Sequence, residues 1–416
     1  MTVRRLAANS LWSLLNHAVS RGSLMASSVI LARSLPTPAF AEYSYFQLTA
    51  TLWAAYASMG MGVTASRIFS TVDISSDSRD GALAGALWKL SALLAAMAFV
   101  VVMALPVHWL QGDLQAPRTL LALAVATLTL QVVPDGALLG LERFRGALYI
   151  SLCAACAIGL GVVASNSLNS PRPAMLAVLL ASGIQTIAGS VLVSRVVGWR
   201  RLWGNAALTM AVTRRVLGFS GPLLVASLLS ASGMWILGRI ILDGPDGARQ
   251  FALFTIGLQW FALAMVLPGM VSRVLLPRLM RSAHQGADRM TQAVMVRHTA
   301  LLAVGLATVV AAVGMLASPY IMAAYGSRYS AATPLVFLYL GAAVASAPAN
   351  TLGNAIVADG GHWRWMLLSA LWWATLVGTA GLLSQGGAES GGIALAVAYS
   401  VLTVGAFVVV RMQRGT

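Results

Sequence analysis

LERFRGALYISLCAACAIGLGVVASN, residues 141–166, places a glutamate and two arginines in its first five positions and then runs for 21 residues without a charge. At 1.5 Å per residue a helix of that length crosses the roughly 30 Å hydrocarbon layer of a bilayer. The run lacks the period-two alternation of a barrel strand. The spacing therefore predicts a membrane-spanning helix with a basic turn at its cytoplasmic mouth.

The same pattern repeats along the chain. Apolar runs bounded by Arg, Pro or Gly clusters predict spans near 10–32, 43–69, 82–107, 118–141, 146–166, 174–197, 215–242, 249–278, 292–317, 333–358, 364–384 and 391–410. Composition agrees: 58% of the residues are hydrophobic and 9% charged, against roughly 25% charged in a soluble domain. The mean hydropathy is +0.80. The expected fold class is all-α, a polytopic membrane protein of about twelve transmembrane helices. The polar-flanked connection Arg195–Arg215 lies near mid-chain and reads as a hinge between two six-helix lobes, residues 1–200 and 201–416.

The net charge of +15 would suggest nucleic acid in a soluble chain; here it follows topology. With both termini in the cytoplasm, twenty basic residues fall in inside segments and six fall outside: Arg33, Arg118, Arg172, Arg239, Arg249 and Arg328. That is the positive-inside bias of an even number of spans, and no nucleic-acid partner is expected. The apolar run after Arg4 and Arg5 would have to hold Asn16, His17 and Arg21 to serve as a signal peptide, so it reads as a retained first helix. Two arginine pairs echo at an offset of 206 residues, Ala32-Arg33 with Gly238-Arg239 and Ser66-Arg67 with Ser272-Arg273, a topological trace of a repeat.

Enzymatic chemistry has little to work with. The only lysine, Lys89, stands in GALWKLSA and not in a phosphate-binding loop, and HExxH and GxSxG do not occur. Cys153 and Cys156 lie within an apolar run and read as a packed helix face. No cofactor or metal is expected, and the outside loops are too short to house a polymerase or ligase, which leaves such an enzyme as the weaker alternative.

The informative residues are the polar ones inside the spans, where an ionisable group costs about 2.5–3.5 kcal/mol on insertion scales. Ser13, His17, Ser20, Arg21 and Ser28 fall in one quadrant of the first helix, and Asn16 accompanies them. Arginine keeps its proton and presents a fork that fits phosphate oxygens, so Arg21 suits a phosphate or pyrophosphate head group; a structural arginine bound to carbonyls or to Asp135 is the other reading. His17 suits a sugar hydroxyl or a packing role. Asp135, beside Pro134, reads either as an ion or proton site or as a counter-ion for Arg143 or Arg145. Arg67 and Arg273 snorkel to the inner interface or line an entrance.

Four stretches carry a resemblance: GALLGLERFRGALYI at 136–150, VILARSLPTPAFAEYSYFQL at 29–48, LPGMVSRVLLPRLMRS at 267–282 and AAYGSRYSAATPLVFLYLG at 323–341. In order along the chain they resemble the polysaccharide transporter family, the Wzx-type branch of the multidrug/oligosaccharidyl-lipid/polysaccharide flippase superfamily. Ala41 stands where that family usually has glycine. The resemblance implies two pseudo-symmetric lobes in a V-shaped alternating-access transporter. It also implies movement of an undecaprenyl-pyrophosphate-linked repeat unit across a bacterial inner membrane for lipopolysaccharide, capsule or exopolysaccharide. Cationic residues on helices one, two and eight would then be Arg21, Arg67 and Arg273, with Asn16, His17 and Ser20 beside the first. Membrane lipid, a polysaccharide polymerase and a chain-length regulator are the implied partners. A cation-coupled multidrug exporter of the same superfamily would share the helices but favour intramembrane carboxylates, of which Asp135 is the candidate.

Overall fold

The computed structural model describes residues 3–58, 61–71, 79–106, 117–198, 221–272 and 289–414. Among these, every regular element is helical. The first seven helices are α1 (Val3–Ser34), α2 (Thr37–Ser58), α3 (Met61–Thr71), α4 (Arg79–Ala104), α5 (Arg118–Gly140), α6 (Phe144–Leu168) and α7 (Arg172–Val197). They are followed by α8 (Gly221–Leu242), α9 (Gly247–Ala264), α10 (Arg289–Tyr325), α11 (Thr333–Ala358), α12 (His362–Leu382) and α13 (Gly387–Arg414). Nine described helices are long and apolar enough to cross a membrane, and ten if α9 and its bent continuation Val266–Ser272 count as one span. The two remaining expected spans are α1, diluted by Asn16, His17 and Arg21, and α2 with α3.

The helix ends explain why the chain breaks where it does. After α5, Glu142 takes a left-handed conformation at φ 54°. The Glu142 N–H donates to Leu139 at 3.2 Å and the Arg143 N–H to Leu138 at 3.0 Å, closing the orphan carbonyls in a Schellman turn. Asn169 does the same after α6, at φ 47°. The last turn of α4 is closed by a side chain instead: Arg118 donates to the carbonyls of Val102 at 3.2 Å and Leu105 at 2.7 Å.

Two prolines within the spans differ in their effect. Pro319 in α10 frees the carbonyl of Met315, and Ser318 Oγ donates to it at 2.7 Å, so that helix continues. Pro268 removes the N–H that would bond Ala264 and crowds its carbonyl. There the helix bends by 41°, where the sequence had predicted one run over 249–278. Pro134 lies inside α5.

The chain divides into two compact units, Met1–Gly221 and Pro222–Thr416; the residues on either side of position 200, including most of the expected hinge, lie outside those described. In the first unit α3, α4, α5 and α7 surround a core containing Phe69, Leu87, Trp88, Val133 and Val193. Phe69 meets Trp88 edge-on at 5.8 Å. In the second unit Tyr339 of α11 is fully buried, with Gly257 against its ring and its hydroxyl donating to the Ala388 carbonyl at 3.0 Å. The outward faces carry Leu160, Leu316, Tyr320 and Leu382, each more than two-thirds exposed, as a lipid-facing surface requires.

Backbone meets backbone between α3 and α5. A Cβ on Gly136 would lie 2.2 Å from the Gly62 carbonyl oxygen, and one on Gly140 2.4 Å from that of Ser66. Gly136→Ala is expected to cost about 1–3 kcal/mol and lower the unfolding temperature of the detergent-purified protein. Gly183→Ala, where a Cβ meets nothing within 4 Å, is expected to leave it unchanged; equal behaviour of the two would refute the close seam.

Candidate functional site

Helix α1 packs along α6, and that contact sorts its polar residues. Trp12 lies under the Arg145 guanidinium of α6, 4.9 Å from ring centroid to carbon. Further along, a cavity of about 440 Å³ is lined by Ser23, Ser27 and Ile30 of α1 and Ile158, Val162 and Asn166 of α6. Nine residues make two and a half turns, about 180°, so Arg21 is on the opposite side of α1 from Trp12. It is exposed, as is Gly22 next to it. His17, one turn earlier, shares that side and is half-buried; Ser20 is half-buried, and its carbonyl accepts the Ser23 hydroxyl at 3.1 Å.

Asn16 departs from the expected grouping. It lies one turn from Trp12, on the side that packs on α6, and its carbonyl oxygen is buried without a hydrogen bond among the described residues. The first helix thus presents Arg21 and His17 on one face and Trp12 and Asn16 on the other. The side chain of Arg67, on α3, and all of Arg273 lie outside the described residues.

Asp135 does not act as the counter-ion of Arg143 or Arg145. Among the described residues it forms no ion pair, and Arg145 reaches Trp12 instead. Gln131, one turn earlier on α5, donates to Asp135 Oδ2 at 2.9 Å. The same amide hydrogen-bonds Gln185 on α7, and the Gln131 carbonyl oxygen is left buried without a donor.

These residues belong to a longer ladder. Thr127 hydroxyl meets Ser182 hydroxyl at 2.8 Å, and Thr186 donates to the Thr127 carbonyl at 3.3 Å. Trp88 on α4 donates to Ser190 on α7 at 3.1 Å. Polar groups thus line the α5–α7 contact over several turns, joined to one carboxylate. The ladder escaped the sequence reading, although Thr127, Gln131 and Asp135 stand at i, i+4 and i+8, a stripe that helical periodicity marks plainly. Such an array, rich in oxygen acceptors and ending on an acid, has the chemistry to hold a proton or a small cation.

The comparisons with known proteins fit this architecture. No family model matches the chain. The EPS I polysaccharide export inner membrane protein EpsE of Ralstonia solanacearum is 25% identical over 400 residues, covering 92% of this chain and 88% of the relative. Its counterpart in Ralstonia nicotianae is 24% identical over 397 residues, with the same coverage. Among solved structures, the inward-facing form of a multidrug resistance MATE family transporter of the MOP superfamily aligns with a TM-score of 0.77 at 15% identity, covering 97% of this chain and 98% of that one. A MOP superfamily transporter from Pyrococcus furiosus, described by the reverse polarity of its binding pocket, aligns at 0.69 and 15%, covering 98% and 95%. The chain has the two-lobe MATE fold, and the resemblance drawn from its motifs agrees with the polysaccharide export function named for its relatives.

Gln131→Leu removes the donor to both Asp135 and Gln185 and is expected to destabilise the protein by about 1–3 kcal/mol, read as a lower unfolding temperature. Gln131→Leu combined with Gln185→Leu is expected to cost less than the sum of the two single changes. Strict additivity would show that the two amides do not act together.

Proposed function

We propose that this protein is a flippase of a bacterial inner membrane that carries an undecaprenyl-pyrophosphate-linked oligosaccharide from the cytoplasmic to the periplasmic leaflet. The observation that carries this reading is Arg21, a permanently charged guanidinium exposed midway along a membrane-length helix, on the side turned away from α6. Hydrocarbon does not tolerate that placement, whereas a water-filled path carrying an anionic head group does. A pyrophosphate offers the fork of oxygens that arginine grips in pairs. His17, on the same side one turn away, reaches the adjoining sugar or phosphate.

The relatives named for polysaccharide export in the inner membrane support the substrate class and the location, and the MATE fold supports transport over catalysis. Asn16, Ser20, Arg67 and Arg273 complete the candidate substrate contacts. Asp135, held by Gln131, is the candidate coupling site, taking up a proton or small cation from one side and releasing it to the other. A polysaccharide polymerase with its chain-length regulator would consume the delivered repeat unit. The second reading, a cation-coupled multidrug exporter, draws on the same carboxylate; it predicts export of organic cations and no effect on surface polysaccharide.

In a host lacking its own repeat-unit flippase, wild type is expected to restore long-chain surface polysaccharide. Arg21→Ala, at equal expression, is expected to cut flux at least about 30-fold and leave lipid-linked repeat units in the cytoplasmic leaflet, while Arg21→Lys retains part of it. Full transport by Arg21→Ala removes the phosphate role. For coupling, proteoliposomes bearing Asp135→Asn are expected to lose any stimulation by an imposed proton or sodium gradient while keeping downhill exchange; a stimulation equal to wild type places coupling elsewhere.

A further inference from the structure

The second unit holds an aromatic cluster midway along its helices. Phe261 of α9 stacks on Tyr399 of α13, ring centroids 5.5 Å apart and planes 25° from parallel, and Tyr399 meets Trp372 of α12 at 5.3 Å. Trp373, next in α12, stands with Trp372 against Gly233 of α8, where a Cβ would fall 3.1 Å from Trp372 Cζ3 and 3.2 Å from Trp373 Cδ1. Trp372 is 2% exposed, while Phe261, Trp373 and Tyr399 are half-buried.

The feature that bears on binding is polar: Trp53 and Trp260 also bury an indole nitrogen without an acceptor among the described residues, but Trp372 and Trp373 do so as neighbours. The indole nitrogens of Trp372 and Trp373 are both buried and donate to no acceptor among the described residues. A buried indole normally finds a partner, and at this depth neither lipid nor backbone offers one: the carbonyls of these helices are engaged in their own ladders. Phenylalanine or leucine would fill the same space without stranding two donors. Two tryptophans side by side therefore ask for a ligand that brings acceptors along with an apolar face.

A pyranose meets both requirements, with C–H bonds on its face that settle on aromatic rings and hydroxyl oxygens around its edge that accept N–H. An organic cation also settles on aromatic faces, but it brings no acceptor for an indole N–H, whose positive end repels it. We propose that Trp372, Trp373, Tyr399 and Phe261 form a glycan subsite that takes a sugar ring of the transported molecule. The proposal rests on the flippase reading and concerns the second unit by itself.

The test is binding to the purified full chain in nanodiscs, with farnesyl diphosphate as the sugarless probe. Its glucosyl, galactosyl and N-acetylglucosaminyl conjugates are the sugar-bearing probes, and tetraphenylphosphonium is the cation. Wild type is expected to bind at least one sugar-bearing probe about tenfold more tightly than farnesyl diphosphate. Trp372→Phe with Trp373→Phe, which keeps two rings but removes both N–H groups, is expected to abolish that preference and leave farnesyl diphosphate binding as it was. Trp373→Phe alone, checked for an unchanged unfolding temperature, serves if the double variant does not fold. The proposal is overturned if wild type prefers no sugar-bearing probe, if the variants keep the preference, or if only tetraphenylphosphonium binding changes. Failure of farnesyl diphosphate to bind wild type while a sugar-bearing probe does so refutes the phosphate role of Arg21 and leaves the glycan subsite standing.

Discussion

A bilayer interior supplies no hydrogen-bond partner, and every polar group carried into it must find one within the protein or be covered by whatever passes through. That constraint makes the chain helical, and it decides the smaller features too. Ser318 answers the carbonyl that Pro319 releases, and Arg118 closes the last turn of α4. At Pro268, one turn beyond Ala264, the span bends. Among the described residues, Arg21 on its exposed face and buried atoms of Asn16, Gln131, Trp372 and Trp373 are some of the polar groups left without a partner.

Within the first unit the contact between α1 and α6 separates two kinds of polarity. Trp12 and Asn16 are on the side that packs on α6, and Arg21 and His17 on the opposite side. The α5–α7 ladder is a third element, distinct from both, in which a single acid is held by the Gln131 amide and, among the described residues, by no cation. The exposed arginine and the amide-held acid are thereby placed on different helices, α1 and α5.

Much of the fold was legible because length and hydropathy are read directly from residue type: the apolar runs became helices, although 43–69 divides into α2 and α3 and 292–317 extends to Tyr325, and the Glu142 turn fell where LERFR interrupts the apolar pattern. Rotation about the helix axes was not legible. Asp135 is close in sequence to Arg143 and Arg145, yet the turn at 141–143 sends Arg145 to Trp12, while the amide network reaches Gln185, more than fifty residues away. Asn16 was grouped with Arg21 by proximity in sequence, although about 140° of helix rotation separates them. The aromatic cluster is assembled from three helices and gives no local pattern at all.

The seam between α3 and α5 has an evolutionary consequence. Most packed pairs can drift together, a larger residue on one side being met by a smaller one on the other. Gly136 faces the carbonyl of Gly62, a residue with nothing left to give up, so no change opposite it can accommodate added bulk. Such a pair cannot covary. While the lipid-facing surface diverges freely under the single demand of being apolar, this crossing must stay as it is or the two helices must part.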